Sequence, residues 1–122
     1  MSSASIKISA TIKKLDCTIP LTGSKSECNR ALIMQALSDG AVRVENISDA
    51  ADTVTLNNIL SGNTPKLVDI GPAGTAMRFL TAFYALHAGE VILTGSERMK
   101  QRPIGILVDA LRTLGADIQY AE

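Results

Sequence analysis

The chain has 122 residues, 46% of them apolar and 20% charged, enough for one core of modest size and inconsistent with a fibrous repeat or a disordered segment. Twelve Lys and Arg balance twelve Asp and Glu, which excludes the broad positive field of a nonspecific nucleic-acid binder. Phe79, Phe83, Tyr84 and Tyr120 lie outside the basic stretches, so no base-stacking platform is expected either. Cys17 and Cys28 lack metal-ligand spacing, His87 lies in an apolar stretch, and the most apolar run, 79–88, is too short to span a bilayer. The expectations are free thiols, a packed histidine, no metal, no membrane contact and a cytoplasmic setting.

Ile6, Ile8 and Ala10 alternate with polar residues, as do Cys17, Ile19 and Leu21, which predicts two short strands around Lys13-Lys14. Ser24-Lys25-Ser26-Glu27 fits a capping box, with Ala31, Leu32, Ile33, Met34, Ala36 and Leu37 as the buried side of a helix that Asp39-Gly40 ends. Val42, Val44 and Ile47 read as a strand. Asp49 or Asp52 then caps a helix carrying Val54, Leu56, Ile59 and Leu60, which stops at Ser61-Gly62-Asn63. Leu67, Val68 and Ile70 form a strand ending at Gly71-Pro72, and a helix opens at Gly74-Thr75 and runs to Gly89. Val91-Ile92-Leu93 is the next strand, 94–102 a polar basic loop, and Pro103 the first residue of a helix carrying Leu107, Leu111 and Leu114. Residues 116–120 return as a strand, and the chain stops at Glu122 without a closing element, which reads as a piece of a larger enzyme. The alternation of strands and helices gives an α/β (α+β) class.

Lys25, Arg78 and Arg102 all stand at predicted helix starts, where the dipole disfavours a cation by about 0.3–1 kcal/mol and free N–H groups collect anions. Singly, each reads as a solvated charge; clustered beside glycines, they point to a multiply anionic ligand. Lys25 and Ser26 share the first turn of one helix, and Arg30 follows Ser26 by four residues on the same face. Gly23-Ser24-Lys25-Ser26 is not a P-loop, because serine separates glycine from lysine. Small residues from Gly71 to Thr75 let backbone N–H groups approach an oxyanion, although a tight strand-to-helix turn explains them equally.

Taken together, Leu21-Thr22-Gly23-Ser24-Lys25-Ser26 with Asn29-Arg30-Ala31-Leu32, then Ala73-Gly74-Thr75-Ala76-Met77-Arg78, Leu93-Thr94-Gly95 and 98–105 closely resemble the 5-enolpyruvylshikimate-3-phosphate synthase family in order and spacing. The resemblance implies an enolpyruvyl transferase that moves the enolpyruvyl group of phosphoenolpyruvate to the 5-hydroxyl of shikimate 3-phosphate, releasing phosphate, without cofactor or metal. It implies a monomeric parent of two lobes built from repeated βαβαββ units, with the active site between them. On that basis residues 1–22 supply strands, the first belonging to the missing lobe, and 23–122 supply part of a substrate-binding lobe. Lys25 would touch both substrates and, with Asp52, take part in catalysis. Ser26 and Arg30 would hold shikimate 3-phosphate, Gly74 and Arg102 phosphoenolpyruvate, with Thr75 and Arg78 as secondary candidates. The family's main catalytic carboxylates lie later in a longer chain, so negligible turnover is expected from these residues alone.

Two positions depart from the family pattern: Pro72 stands for its usual Asn and Phe79 for its usual Pro, which is expected to alter affinity or inhibitor sensitivity but not the reaction. Two other accounts remain at this level. One is a noncatalytic anion-binding module or inactive relic. The other is the related transferase acting on UDP-N-acetylglucosamine, whose lysine is characteristically followed by asparagine, where Ser26 follows Lys25 here.

Overall fold

The structure is a computed structural model that describes residues 5–12, 14–63 and 65–121. Its elements run α1 (Lys25–Leu37), α2 (Ala51–Ser61), β1 (Leu67–Asp69), α3 (Gly74–Tyr84), β2 (Ile92–Thr94), α4 (Glu97–Lys100) and α5 (Gly105–Thr113). β1 and β2 pair in parallel, with Leu67 opposite Ile92, Val68 opposite Leu93 and Asp69 opposite Thr94. The right class of layers is therefore present, α/β with a short parallel sheet, in which α3 forms the crossover between the two strands.

The core forms where apolar faces meet. Leu32 of α1, Leu56 of α2, Val68 and Ile70 of and after β1, Ala73, Ala76 and Leu80 of and before α3, and Met99 of α4 make one buried cluster. Val44, Ile47, Ile59, Met77, Phe79 and Phe83 pack around it. In α3 the buried Ala76 and Leu80 are four residues apart, so one face of that helix enters the core. α1 packs most extensively on α2 and also touches α3. Past the strands the ladder continues into the turns: Ile70 N–H donates to Thr94 O (3.0 Å) and Ser96 N–H to Gly71 O (3.0 Å). A β-carbon at Gly95 would lie 2.6 Å from that same Gly71 carbonyl, so glycine is what lets the two turns touch.

Several expected elements do not form. Among the described residues, 5–23 contain no strand, and Ile6, Ile8, Ile12, Leu15, Ile19 and Leu21 are exposed; Lys13 of the expected turn lies outside the described residues. Alternation supplies a strand's two faces, but its backbone groups also need a neighbouring strand, and none among the described residues pairs with this segment. Residues 41–47 are also without strand; Val44 N–H instead donates to the Gln35 side chain (2.7 Å), folding the segment back on α1. Residues 116–120 are not a strand either. Arg112 captures them, donating through Nε (2.9 Å) and Nη2 (2.5 Å) to Ile118 O and lying 5.5 Å from the Tyr120 ring centroid. Glu122 lies outside the described residues.

The helix ends also differ. Ser24 is the N-cap residue of α1 but makes no side-chain cap bond, so the capping box is not closed. Ala50, not Asp49 or Asp52, precedes α2, because Asp49 accepts from Thr22 Oγ1 (3.1 Å) and Asp52 pairs with Lys25. α3 ends at Tyr84, five residues short of Gly89. Inside the expected basic loop, Ser96 caps the short α4 by accepting from Met99 N–H (3.3 Å). Pro103 does not open α5, which starts at Gly105; the Pro103 carbonyl is held by Arg78 instead. His87 packs its ring on Phe83, 4.3 Å between centroids, but is exposed rather than buried, bonded through Nδ1 to Phe83 O (2.7 Å).

Leu56 is fully buried, whereas Leu114 is 85% exposed. Leu56→Ala should lower unfolding free energy by about 2–5 kcal/mol, and Leu114→Ala should change it by less than about 0.5 kcal/mol. Urea denaturation followed by circular dichroism checks both.

Candidate functional site

Two groups of the expected site residues assemble at helix starts. The first joins α1 and α2. Lys25 is the opening residue of α1, and its Nζ lies 3.2 Å from Asp52 Oδ2 in the first turn of α2. The Lys25 side chain is half exposed, so the pair itself contributes only about 0.2–1 kcal/mol. Its value is positional: two residues 27 apart in sequence are held together at the ends of two packed helices. Ser26 and Arg30 stand on the same α1 surface, exposed and without side-chain hydrogen bonds among the described residues. Gly23 leads into the helix beneath Asn46 O, and any β-carbon there would collide with that carbonyl.

The second group surrounds the start of α3. Ala73 precedes the helix without a side-chain cap, and the first intrahelical bond runs from Met77 N–H to Ala73 O (3.1 Å). The N–H groups of Gly74, Thr75 and Ala76 are thus without acceptors among the described residues. The Arg102 guanidinium packs into the space a Gly74 side chain would fill, with Met99 Cε close behind it. Arg102 is therefore not at the start of α5, as its place before Pro103 suggested, but at the start of α3. Arg78 is the fifth residue of α3 rather than a first-turn residue. Its Nη1 donates to Gly74 O (3.4 Å) and its Nη2 to Pro103 O (2.9 Å), tying the Arg102-Pro103 segment to the helix. Thr75 is half-buried in that first turn. A permanent cation and uncapped helical N–H groups side by side are a repulsive arrangement unless an anion lies between them.

No hydrogen bond or ion pair among the described residues joins the two groups; α1 and α2, which carry the first, both pack on α3, which carries the second. Pro72 is exposed in the turn ahead of α3, with its neighbour Gly71 fixed by an N–H bond to Asp69 Oδ1 (2.8 Å). Phe79 packs against the core on the far side of the helix start.

Sequence reasoning missed the polar groups beneath the first cluster. Asn29 is 1% exposed and Thr53 fully buried, and Asn29 Oδ1, Asn29 Nδ2 and Thr53 Oγ1 have no hydrogen-bond partners among the described residues. Each such group left unpaired costs about 1–3 kcal/mol. Asparagine and threonine within helices ordinarily read as solvent-facing, so nothing local marked them. Cys28 is likewise buried, its Sγ accepting from Ser48 N–H (3.3 Å), while Cys17 is exposed; both thiols are free. No set of three or more His, Cys, Asp or Glu placed to hold a metal occurs among the described residues, and no helix is long and apolar enough to cross a membrane.

Comparison with known proteins matches both site groups to one family. The sequence model of EPSP synthase (3-phosphoshikimate 1-carboxyvinyltransferase) matches residues 9–64 and 61–122. A 3-phosphoshikimate 1-carboxyvinyltransferase of Bacteroides fragilis (strain YCH46) is 52% identical over 108 residues, covering 88% of this chain and 26% of the relative. One of Pectobacterium atrosepticum is 40% identical over 136 residues, covering 91% and 32% respectively. The chain thus spans about a quarter to a third of the length of these curated relatives. The Pectobacterium alignment is longer than the chain itself, so that relative carries residues absent here, and the two family matches meet in the connection between α2 and β1. No solved structure matches the chain significantly. With the family match running from residue 9 through both helix-start clusters to residue 122, the chain belongs to the EPSP synthase (3-phosphoshikimate 1-carboxyvinyltransferase) family.

Proposed function

We propose that these residues form a substrate-binding portion of an enzyme that transfers the enolpyruvyl group of phosphoenolpyruvate to the 5-hydroxyl of shikimate 3-phosphate, with release of phosphate. The observation that carries this reading is the Arg102 guanidinium packed against Gly74 beside the uncapped start of α3. That is a site for a small, compact anion, and phosphoenolpyruvate fits it: its phosphate or carboxylate would take the free N–H groups of Gly74 and Thr75 while Arg102 neutralises its charge. Arg78 acts indirectly, by anchoring the segment that carries Arg102.

Lys25, Ser26 and Arg30 present one ammonium, one hydroxyl and one guanidinium on a single exposed helix surface, a donor set suited to the phosphate of shikimate 3-phosphate. Lys25 would reach both ligands. Its partner Asp52 holds the ammonium in place before substrate arrives, and the loss of that pair on binding is small against the charge-assisted bonds gained. The reaction is an addition followed by an elimination: the hydroxyl gives up its proton and adds to C2 of phosphoenolpyruvate as the methylene gains a proton, and the tetrahedral intermediate then expels phosphate as the new methyl group loses a proton to restore the double bond. Fixed cations stabilise the charge that develops on the phosphate as it leaves. The general acid and base groups for the two proton transfers belong to the remainder of the longer enzyme, and closure of the second lobe would complete the water-poor cleft. The shikimate substrate is favoured over a UDP-linked amino sugar by Ser26 after Lys25 and by the names of the relatives. A monomeric, cytoplasmic parent with a first strand contributed by residues 6–11 to the second lobe completes the proposal.

Amide-resolved NMR titration of the 122-residue chain with shikimate 3-phosphate should give saturable shifts at Ser26 and Arg30. In Lys25→Ala they should need roughly 10–100-fold more ligand, as expected for one lost charge-assisted contact. A dispersed spectrum unmoved at millimolar ligand would count against a preformed half-site. Gly74→Ala should push the Arg102 guanidinium away from α3 and weaken phosphoenolpyruvate binding about tenfold or more while leaving shikimate 3-phosphate affinity within about twofold. Calorimetric titration of the longer enzyme with each ligand checks this, and equal weakening of both would contradict the division of labour.

A further inference from the structure

The chemistry described so far leaves the buried pair Asn29 and Thr53 unused. α1 buries three residues, Cys28, Asn29 and Leu32, and α2 buries two, Thr53 and Leu56. Leu32 and Leu56 belong to the apolar cluster. One turn nearer the helix starts, the corresponding positions are the polar Asn29 and Thr53, three residues before each leucine. Beyond them comes the ion pair: Lys25 lies four residues before Asn29, and Asp52 immediately precedes Thr53. Along both helices, which pack on each other, the buried side chains thus run from apolar, through polar, to the exposed ion pair.

We propose that Asn29 and Thr53 are positioning residues for Lys25, forming a buried polar layer that sets how α1 and α2 sit against each other and thereby holds the lysine against Asp52. Leucine against leucine is non-directional and accepts small slides or rotations of one helix on the other. Hydrogen-bonding groups do not, because their unpaired state is unfavourable in a dry interior. The layer contains the parts needed to satisfy itself: a donor in Asn29 Nδ2, an acceptor in Asn29 Oδ1, and in Thr53 Oγ1 a hydroxyl that does both. Side-chain reorientation or a single buried water making three bonds would join them. Directional polar groups inside an otherwise apolar helix contact are a known means of fixing register, at some expense of stability. The position of this layer, next to the ion pair rather than deeper in the core, is what links it to the site.

The inference rests on the reading of Lys25 as a ligand-binding group, so its test has one arm without ligand. In the labelled 122-residue chain, nuclear Overhauser contacts between Lys25 Hε and Asp52 Hβ should be present in the wild type and in Thr53→Ser, which keeps the hydroxyl. They should be lost in Thr53→Val, which keeps the shape, and in Asn29→Leu, although both variants remain folded and unfold at the same or higher temperature. In the ligand arm, Thr53→Val should bind shikimate 3-phosphate about tenfold more weakly and Thr53→Ser like the wild type. Retention of the Lys25–Asp52 contact in both Thr53→Val and Asn29→Leu, or its absence from the wild type, would overturn the proposal. Failure of wild-type binding with the expected contact pattern intact would instead reject the substrate assignment and leave the positioning role standing. If one variant does not fold, the other decides the ligand-free arm; if neither folds while Thr53→Ser does, the layer is a stability element and the proposal is rejected.

Discussion

Everything at the two helix starts depends on the apolar contact that gathers Leu32, Leu56, Ile70, Ala76 and Leu80 into one buried cluster. Those side chains come from the middle of α1 and α2, from the first two turns of α3 and from the residue that follows β1. Burial of this kind contributes about 1.5–3 kcal/mol per large side chain, far more than any exposed ion pair in the molecule. The cations are therefore placed by the apolar groups beneath them. Lys25 lies two turns before Leu32, and Gly74 two residues before Ala76. Helix starts with unpaired N–H groups become a common platform because the core fixes the helices that bear them.

Charge alone would not hold that platform together. Arg102 beside uncapped N–H groups and Lys25 at the head of α1 both oppose the helix dipole, and the chain offsets this with local restraints. Asp52 answers Lys25, while Arg78 grips the Pro103 carbonyl and keeps the neighbouring arginine over Gly74. The two solutions differ in kind. The first is an ion pair that a ligand can replace, the second a backbone clamp that a ligand leaves undisturbed. Such an arrangement suits a site in which one cation is shared between ligands and the other serves one.

The helices were legible in the sequence because their apolar faces repeat at helical spacing and their ends carry glycines; α1, α2 and α3 all appear within a few residues of expectation. β1 and β2 were legible as short apolar runs. The N-terminal alternation is not matched by strands, since Ile6 to Leu21 supply strand-like faces but no neighbouring strand among the described residues receives their hydrogen bonds. Residues 116–120 failed for a related reason: Arg112, the penultimate residue of α5, takes the Ile118 carbonyl. At the site, Lys25, Ser26, Arg30 and Gly74 could be marked from local pattern. The destination of Arg102 could not, because sequence proximity to Pro103 pointed to α5 whereas the glycine gap that receives it lies 28 positions earlier. Asn29 belonged to a recognised motif, but its burial and that of Thr53 carried no local signal, being a property of how the helices pack and not of either helix.

The connection from α2 to β1 has a further significance. It joins a helix end at Ser61 to a strand start at Leu67, and it is where the two matches to the family meet. The entropy of closing a loop grows only slowly with its length, by about 0.6 kcal/mol for each doubling. Both flanking elements are anchored independently, by Leu56 on one side and Val68 on the other. Added length is therefore tolerated here, at the opposite end of α2 from Asp52, without disturbing the helix starts. For the engineer, the same connection is the place to graft a reporter into this lobe.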